Sequence, residues 1–401
     1  MHAIETVNNY IVNHWINTVR TQTSKENEIP LPYPVTVPCE NQGFTYFFYW
    51  DTYFANIGLL YDMPNQALNN LRNMKYLVER YGFIPNANLT NMLNRSQPPL
   101  YSSAVFEYYE RFNSLSIISE FYPSMVKEYN FWMNQRMTRC GLNRYLSNAN
   151  DEETEEFIRE ISLRKILDVK DINVKEKAKN LFAEAESGWD FCPRFSGKAL
   201  NFVPVDLNSI LYRNECIMAY FAKLLGKKDD FIRFNNNATK RKRSMMLLMQ
   251  DANRVFCDYD FIDNYKSRKI SVANLLPYWA GISDDKDVCV AIVDKLNFKY
   301  GLSACEKNDG SIFQWDYPNM WPPLVEFAVT ALENVGEREV AKNIAVKYLN
   351  TVASNFVSDN SLFEKYSVVT GKYSEVEYQS PRMMGWTAAV FRKMYENFYK
   401  Q

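Results

Sequence analysis

Histidine is almost missing from this sequence. There are two, His2 and His14, both near the N-terminus. That argues against a serine or cysteine hydrolase with a histidine base and against a histidine-ligated zinc site. No metal site and no cofactor is predicted. Closely spaced cysteine pairs are missing too. The seven cysteines, Cys39, Cys140, Cys192, Cys216, Cys257, Cys289 and Cys305, are scattered, odd in number and without a CxxC, so buried thiols in a reducing compartment are expected. No apolar run reaches bilayer-spanning length. Met1 to Arg20 lacks the basic start and continuous apolar stretch of a signal peptide. A cytoplasmic location and no membrane partner are expected. Nor is there an excess of one charge: the formal net charge is -1, which argues against nucleic acid as a partner. With so little histidine, acid–base chemistry must come from carboxylates.

What the sequence does have is apolar and aromatic bulk. Of 401 residues, 47% are hydrophobic and 23% charged, enough to bury a large core. Aromatic residues reach 15%, with 27 Tyr, 26 Phe and 8 Trp. Most of these rings read as core. Some can line a polar pocket, because a sugar offers apolar C–H faces and a hydroxyl rim to an aromatic wall.

Helical periodicity dominates. In Glu5–Arg20, Val7, Tyr10, Ile11, His14, Trp15 and Val19 recur at three- and four-residue spacing. Asn65–Tyr81 behaves likewise, and Leu207–Leu225 and Leu324–Val352 are long and helix-like. Strand alternation is scarce. Prolines gather between these segments, at Pro30–Pro38, Pro98-Pro99 and Pro318–Pro323, where they end helices and stiffen loops. Ser147–Glu156 and Ser367–Glu377 read as polar loops, and Asp309-Gly310 as a turn. Lys240–Arg243 reads as a solvated helix face, with Met245–Met249 as core behind it. No linker or composition break divides the chain. The expectation is one all-α domain over residues 1–401, built of stacked helical hairpins that can close into a ring.

Rings and polar groups occur together at a few places. These are Tyr49-Trp-Asp-Thr-Tyr-Phe54, Ile84-Pro-Asn86, Asn94-Arg-Ser-Gln-Pro-Pro99, Glu186-Ser-Gly-Trp-Asp-Phe191, Pro204-Val-Asp-Leu-Asn-Ser209, Gln314–Pro323 and Glu364-Lys-Tyr366. They read as loops converging on one pocket. In these motifs, in chain order from about residue 38 to about residue 392, the sequence resembles trehalases, the inverting α-glucosidases of glycoside hydrolase family 37. The resemblance implies an (α/α)6 barrel with a pocket at one mouth and a small carbohydrate as substrate. It implies Asp190 as general acid and Glu364 as general base. It also places Trp50, Asp51, Asn86, Arg95, Ser96, Gln97, Gly188 and Glu377 around the sugar; Phe44 and Trp315, rings within the same clusters, are further candidate substrate contacts.

The chemistry agrees with those residue types. Inversion needs one protonated carboxyl to donate to the leaving oxygen. It needs one carboxylate across the ring to activate water, with about 6.5–9.5 Å between the two. An acid between Trp189 and Phe191 should have its pKa raised. Read singly, Asp190 could cap a helix and Glu364 could be a solvated surface residue. Glu375 and Glu377 compete with Glu364 on the same loop, and Arg95 could pair with a structural carboxylate.

Two departures stand out. Gly43 occupies the place of one substrate-binding arginine of the family. Asn150–Glu156 is acidic where an Arg-Pro-Glu motif supplies another, and Glu153 or Glu155 is left for that motif's glutamate. The first reading is hydrolysis of α,α-trehalose to two glucoses. The alternatives are a related (α/α)6 enzyme acting on another α-glucoside or α-mannoside, and a catalytically inactive sugar-binding homologue. No sequence feature points to an oligomeric state.

Overall fold

In the computed structural model, residues 2–21, 26–40, 44–309, 311–382 and 385–400 are described. Helices account for nearly all of the regular structure. In chain order they are α1 (His2–His14), α2 (Tyr49–Asp62), α3 (Pro64–Tyr81), α4 (Tyr101–Phe112), α5 (Leu115–Gln135), α6 (Asp151–Leu163) and α7 (Val174–Glu186). There follow α8 (Val205–Leu224), α9 (Lys228–Leu248), the short α10 (Leu276–Trp279), α11 (Lys286–Leu296), α12 (Pro322–Asn334), α13 (Arg338–Asp359) and α14 (Gly385–Met394).

Six of these form a closed inner ring: α2 packs on α4, α4 on α8, α8 on α10, α10 on α12, α12 on α14, and α14 back on α2. The inner helices are apolar on nearly every face, as a helix buried on both sides must be. In α2, for instance, every residue from Thr52 to Leu59 is buried. An outer layer of α1, α3, α5, α9, α11 and α13 packs behind them. Those are mostly amphipathic; α3 buries Leu71, Met74, Leu77 and Val78 on one stripe. Gly58 lets α2 and α14 approach closely, since a Cβ there would stand 2.5 Å from the Ala389 Cα. Rings fill the barrel axis. Phe54 of α2 lies edge-on to Phe327 of α12 at 5.4 Å, and Trp279 of α10 reaches the same Phe327 at 5.1 Å. Much of the aromatic content is thus a central pillar.

α6 and α7 stand apart. They pack on each other around a separate core of Phe157, Ile158, Ile161, Leu181, Phe182 and Phe191. They form a small lobe beside the ring.

Several sequence expectations need correcting. The Glu5–Arg20 helix ends at His14, gives way to a 3-10 turn, and finishes as a strand, Val19–Arg20, paired with Val35–Thr36. Leu324–Val352 is two helices, α12 and α13, separated where Gly336 takes φ +84. Ser147–Glu156 is not all loop. Asn150 accepts from the Glu153 N–H while the Glu153 carboxylate accepts from the Asn150 N–H, a capping box that starts α6. In Lys240–Arg243, Arg241 is buried and paired with Glu215 at 2.9 Å; Met245 and Met249 are core, but Met246 and Leu247 are exposed. Tyr49-Trp50-Asp51 opens a helix rather than lying in a loop. Gly310 and Gly43 fall outside the described residues.

Candidate active site

A cavity of about 400 Å³ opens at one mouth of the ring. Ten of the twelve expected site residues line it. Trp50 and Asp51 come from the first turn of α2. Asn86, Arg95 and Gln97 come from the α3–α4 connection. This connection is tied to α2: the Tyr49 N–H donates to the Asn86 carbonyl at 3.0 Å, and the Trp50 N–H donates to Gln97 Oε1 at 2.7 Å. Gly188 and Asp190 follow α7, Trp315 precedes α12, Glu364 precedes α14, and Phe44 stands at the rim.

The other two are close but not lining. Ser96 is buried behind the wall, its Oγ donating to the Ile84 carbonyl and its N–H to Glu186. Glu377 reaches the cavity through Arg164, with which it forms a close ion pair. Glu375 is exposed and outside the lining. Gly188 takes φ +76, and a Cβ there would press on the Trp50 ring at 3.2 Å, so glycine is required twice over. Trp189, Trp315 and Trp321 stack as an aromatic wall, with centroids 5.7 and 3.8 Å apart.

Asp190 caps no helix. Its carbonyl accepts from Gln314 Nε2 at 2.9 Å and from Arg164 Nη2 at 3.3 Å, which fixes its backbone. Its carboxyl is pushed up to about 7, first by burial, with Glu377 adding to the rise and Arg164 and Arg95 opposing it. Over a third of the side chain is still open to the cavity, at 36% exposure. Glu364 is only 2% exposed. Its Oε2 accepts from Lys365 Nζ at 2.9 Å and its Oε1 from the Tyr378 hydroxyl at 3.0 Å. The segment behind it is pinned where Tyr366–Ser367 pairs with Asn319–Met320. Arg95 does not pair with a carboxylate; its Nη1 donates to Asn94 Oδ1 at 2.9 Å, and its Nε is buried without a partner.

Some residues at the cavity or directly behind its lining went unpicked in the sequence. Gln314 links the two carboxylate segments: its Nε2 holds Asp190 and its Oε1 accepts from Lys365 at 3.0 Å. It opens the Gln-Trp-Asp motif, which was the available signal. Lys365, with no exposed side-chain area, was visible as the middle of Glu-Lys-Tyr. Arg164 had no motif around it, and only the lobe brings it in. Glu153 and Glu155 do not enter the cavity. Glu153 caps α6 and accepts from Asn94, and Glu155 pairs with Lys175.

A helical double ring with two carboxylates and an aromatic wall in one pocket is the architecture of an (α/α)6 glycoside hydrolase. The family model described as Trehalase matches residues 2–399, and the chain belongs to that family. A periplasmic trehalase of Xanthomonas campestris pv. campestris (strain 8004) is 30% identical, over 94% of this chain and 70% of its own. A trehalase of Apis mellifera is 29% identical, over 95% and 66%. Among solved structures, neutral trehalase Nth1 from Saccharomyces cerevisiae superposes with a TM-score of 0.76 at 22% identity, covering 97% of this chain and 79% of that one. A GH63 mannosylglycerate hydrolase from Thermus thermophilus superposes at 0.66 and 13% identity, covering 98% and 100%. These two likenesses bear on the fold alone, and both share the double ring of helices.

The relatives named periplasmic overturn the cytoplasmic expectation. The free thiols behind that expectation are weak evidence of compartment. Five of the seven are buried, where cysteine behaves as a small apolar side chain. Among the described residues, no helix is long and apolar enough to cross a membrane.

Proposed function

We propose that this cavity hydrolyses α,α-trehalose to two glucoses with inversion, Asp190 acting as general acid and Glu364 as general base. The observation that carries the reading is the unequal preparation of the two carboxyls. Asp190, with a pKa raised to about 7, still carries its proton in about half of the molecules at neutral pH and can give it to the bridging oxygen. Glu364 accepts from two donors, Lys365 Nζ and the Tyr378 hydroxyl, which orient its carboxyl group and leave lone pairs for a water. Trp50 Nε1 and Arg95 Nε are buried at the cavity wall without partners among the described residues. Unpaired buried polar atoms are costly, and sugar hydroxyls would satisfy them. Phe44, Trp50 and Trp315 supply apolar faces; Asp51, Asn86, Arg95 and Gln97 supply polar contacts; Gly188 and Ser96 shape the wall, and Glu377 acts through Arg164.

The ring and its lobe act as one catalytic unit in this reading. The named bacterial relatives support a periplasmic site of action. Trehalose incubated with the protein and followed by NMR should give one β-glucose per α-glucose before mutarotation. Glucose of a single anomeric form, or none at all, would sink the proposal.

A further inference from the structure

The cavity has a closed end and an open end. At the closed end Trp50, Asn86, Gln97 and Glu364 are each no more than 6% exposed. At the open end stand Glu160 and Phe44, both exposed. A disaccharide split between its rings leaves one ring in the closed end, and the departing ring must lie towards the opening. Arg164, 24% exposed, also lines the cavity, one helical turn after Glu160. It follows the last turn of α6 and so belongs to the lobe rather than to the ring.

Its guanidinium is held on three sides. Nε donates to Glu377, Nη2 donates to the Asp190 carbonyl, and the plane lies 5.0 Å over the Phe191 ring. The fourth side is free. Nη1 is 3.8 Å from Asp190 Oδ2, too far for a hydrogen bond, and no other acceptor meets it among the described residues. A rigid, permanently charged fork with one edge free beside the proton donor is suited to accepting oxygens of a polyol.

We propose that Arg164 is a specificity-determining residue that grips hydroxyls of the departing sugar, with Glu377 as its brace. This rests on the proposed trehalose hydrolysis. The lobe thereby supplies, from a new direction, an arginine to a cavity whose upstream motif has become the acidic first turn of α6.

The test compares two substrates. Trehalose carries a second sugar; α-glucosyl fluoride occupies the same closed end, has no second sugar and needs little proton donation. R164K keeps the charge beside Asp190 but not the fork. Its kcat/KM for trehalose should fall about ten- to a hundredfold with an unmoved pH profile, mainly through KM, while that for the fluoride stays within about twofold; a fall in kcat alone would mean that Arg164 only positions Asp190 through its carbonyl, and would overturn the proposal. R164Q should lose at least as much on trehalose and, again, little on the fluoride. Full activity of R164K on trehalose would reduce Arg164 to a charge and overturn the proposal, as would parallel loss on both substrates in a variant whose thermal melting shows it folded. If R164K does not fold, R164Q decides by the same comparison. A wild-type protein that cleaves the fluoride but not trehalose would sink the proposed function itself; a trehalose-active wild type with an unaffected R164K would sink this inference alone.

Discussion

Of the carboxyls that line the cavity, the two proposed to be catalytic, Asp190 and Glu364, sit in opposite surroundings. Asp190 follows the α6–α7 lobe, beside a small core of its own. It is held by its backbone, and its carboxyl has no side-chain hydrogen-bond donor among the described residues. Glu364 is anchored to the main ring. Trp386 Nε1 donates to its carbonyl, and both of its carboxylate oxygens have donors. Burial without a side-chain donor favours the neutral acid at Asp190, whereas the two donors at Glu364 fix the orientation of its carboxyl group. One residue class thus acquires two roles through neighbours alone, and the difference can be broken from either side.

The largest effect is expected at the carboxyls themselves. D190N should lower trehalose turnover by about 10³-fold or more, yet lose far less on α-glucosyl fluoride, whose leaving group needs little protonation. E364Q should lose both substrates, since each needs the activated water. Initial rates on the two substrates, with circular dichroism to confirm folding, make the check. Equal losses for both variants on both substrates would remove the distinction.

Lys365 is the next lever. Its Nζ bridges Glu364 and Gln314, and Gln314 holds Asp190. K365M should therefore misplace both carboxyls and cut kcat on trehalose by about 10–100-fold, with KM little changed. A rise in KM alone would make Lys365 a sugar ligand instead.

A pH profile probes the Asp190 side with no mutation. As the proposed general acid Asp190 must hold a proton, and its carboxyl is pushed up to about 7. Activity is therefore retained below that value and lost above it. The kcat/KM for trehalose should fall about tenfold per pH unit on the basic side. The fluoride reaction should show a weaker basic limb. A trehalose profile flat to about pH 9 would contradict the assignment of Asp190.

The contrast between the regions also marks how far the sequence could be read. Asp190, Glu364, Trp50 and Gln97 announce themselves in short motifs of rings and polar groups, because many of the residues that line the cavity are near neighbours in the chain. The helical ring was legible because its faces repeat at helical spacing, although Leu324–Val352 concealed the break at Gly336. The lobe was not. Its acidic start looks like a solvated loop unless the reciprocal Asn150–Glu153 pattern is noticed, and Arg164 lies between Leu163 and Lys165 in a stretch that reads as exposed. What brings Arg164 to Asp190 is the packing of Phe157 on Phe182 and Phe191, with centroids 3.8 and 6.2 Å apart. Such packing is a tertiary event with no local signature.

The smallest effect follows from that lobe. N150A removes the side-chain half of the capping box and should destabilise α6 by about 1 kcal/mol. The main ring does not depend on this cap, so the loss should appear as faster amide exchange in α6 and α7 while α2, α12 and α14 keep their protection. Because α6 carries Arg164 and the ring carries Glu364, trehalose turnover should drop by less than about threefold and fluoride turnover should not change. Faster exchange across the whole chain would mean that lobe and ring unfold as one unit, and that the two carboxyls do not rest on separable supports.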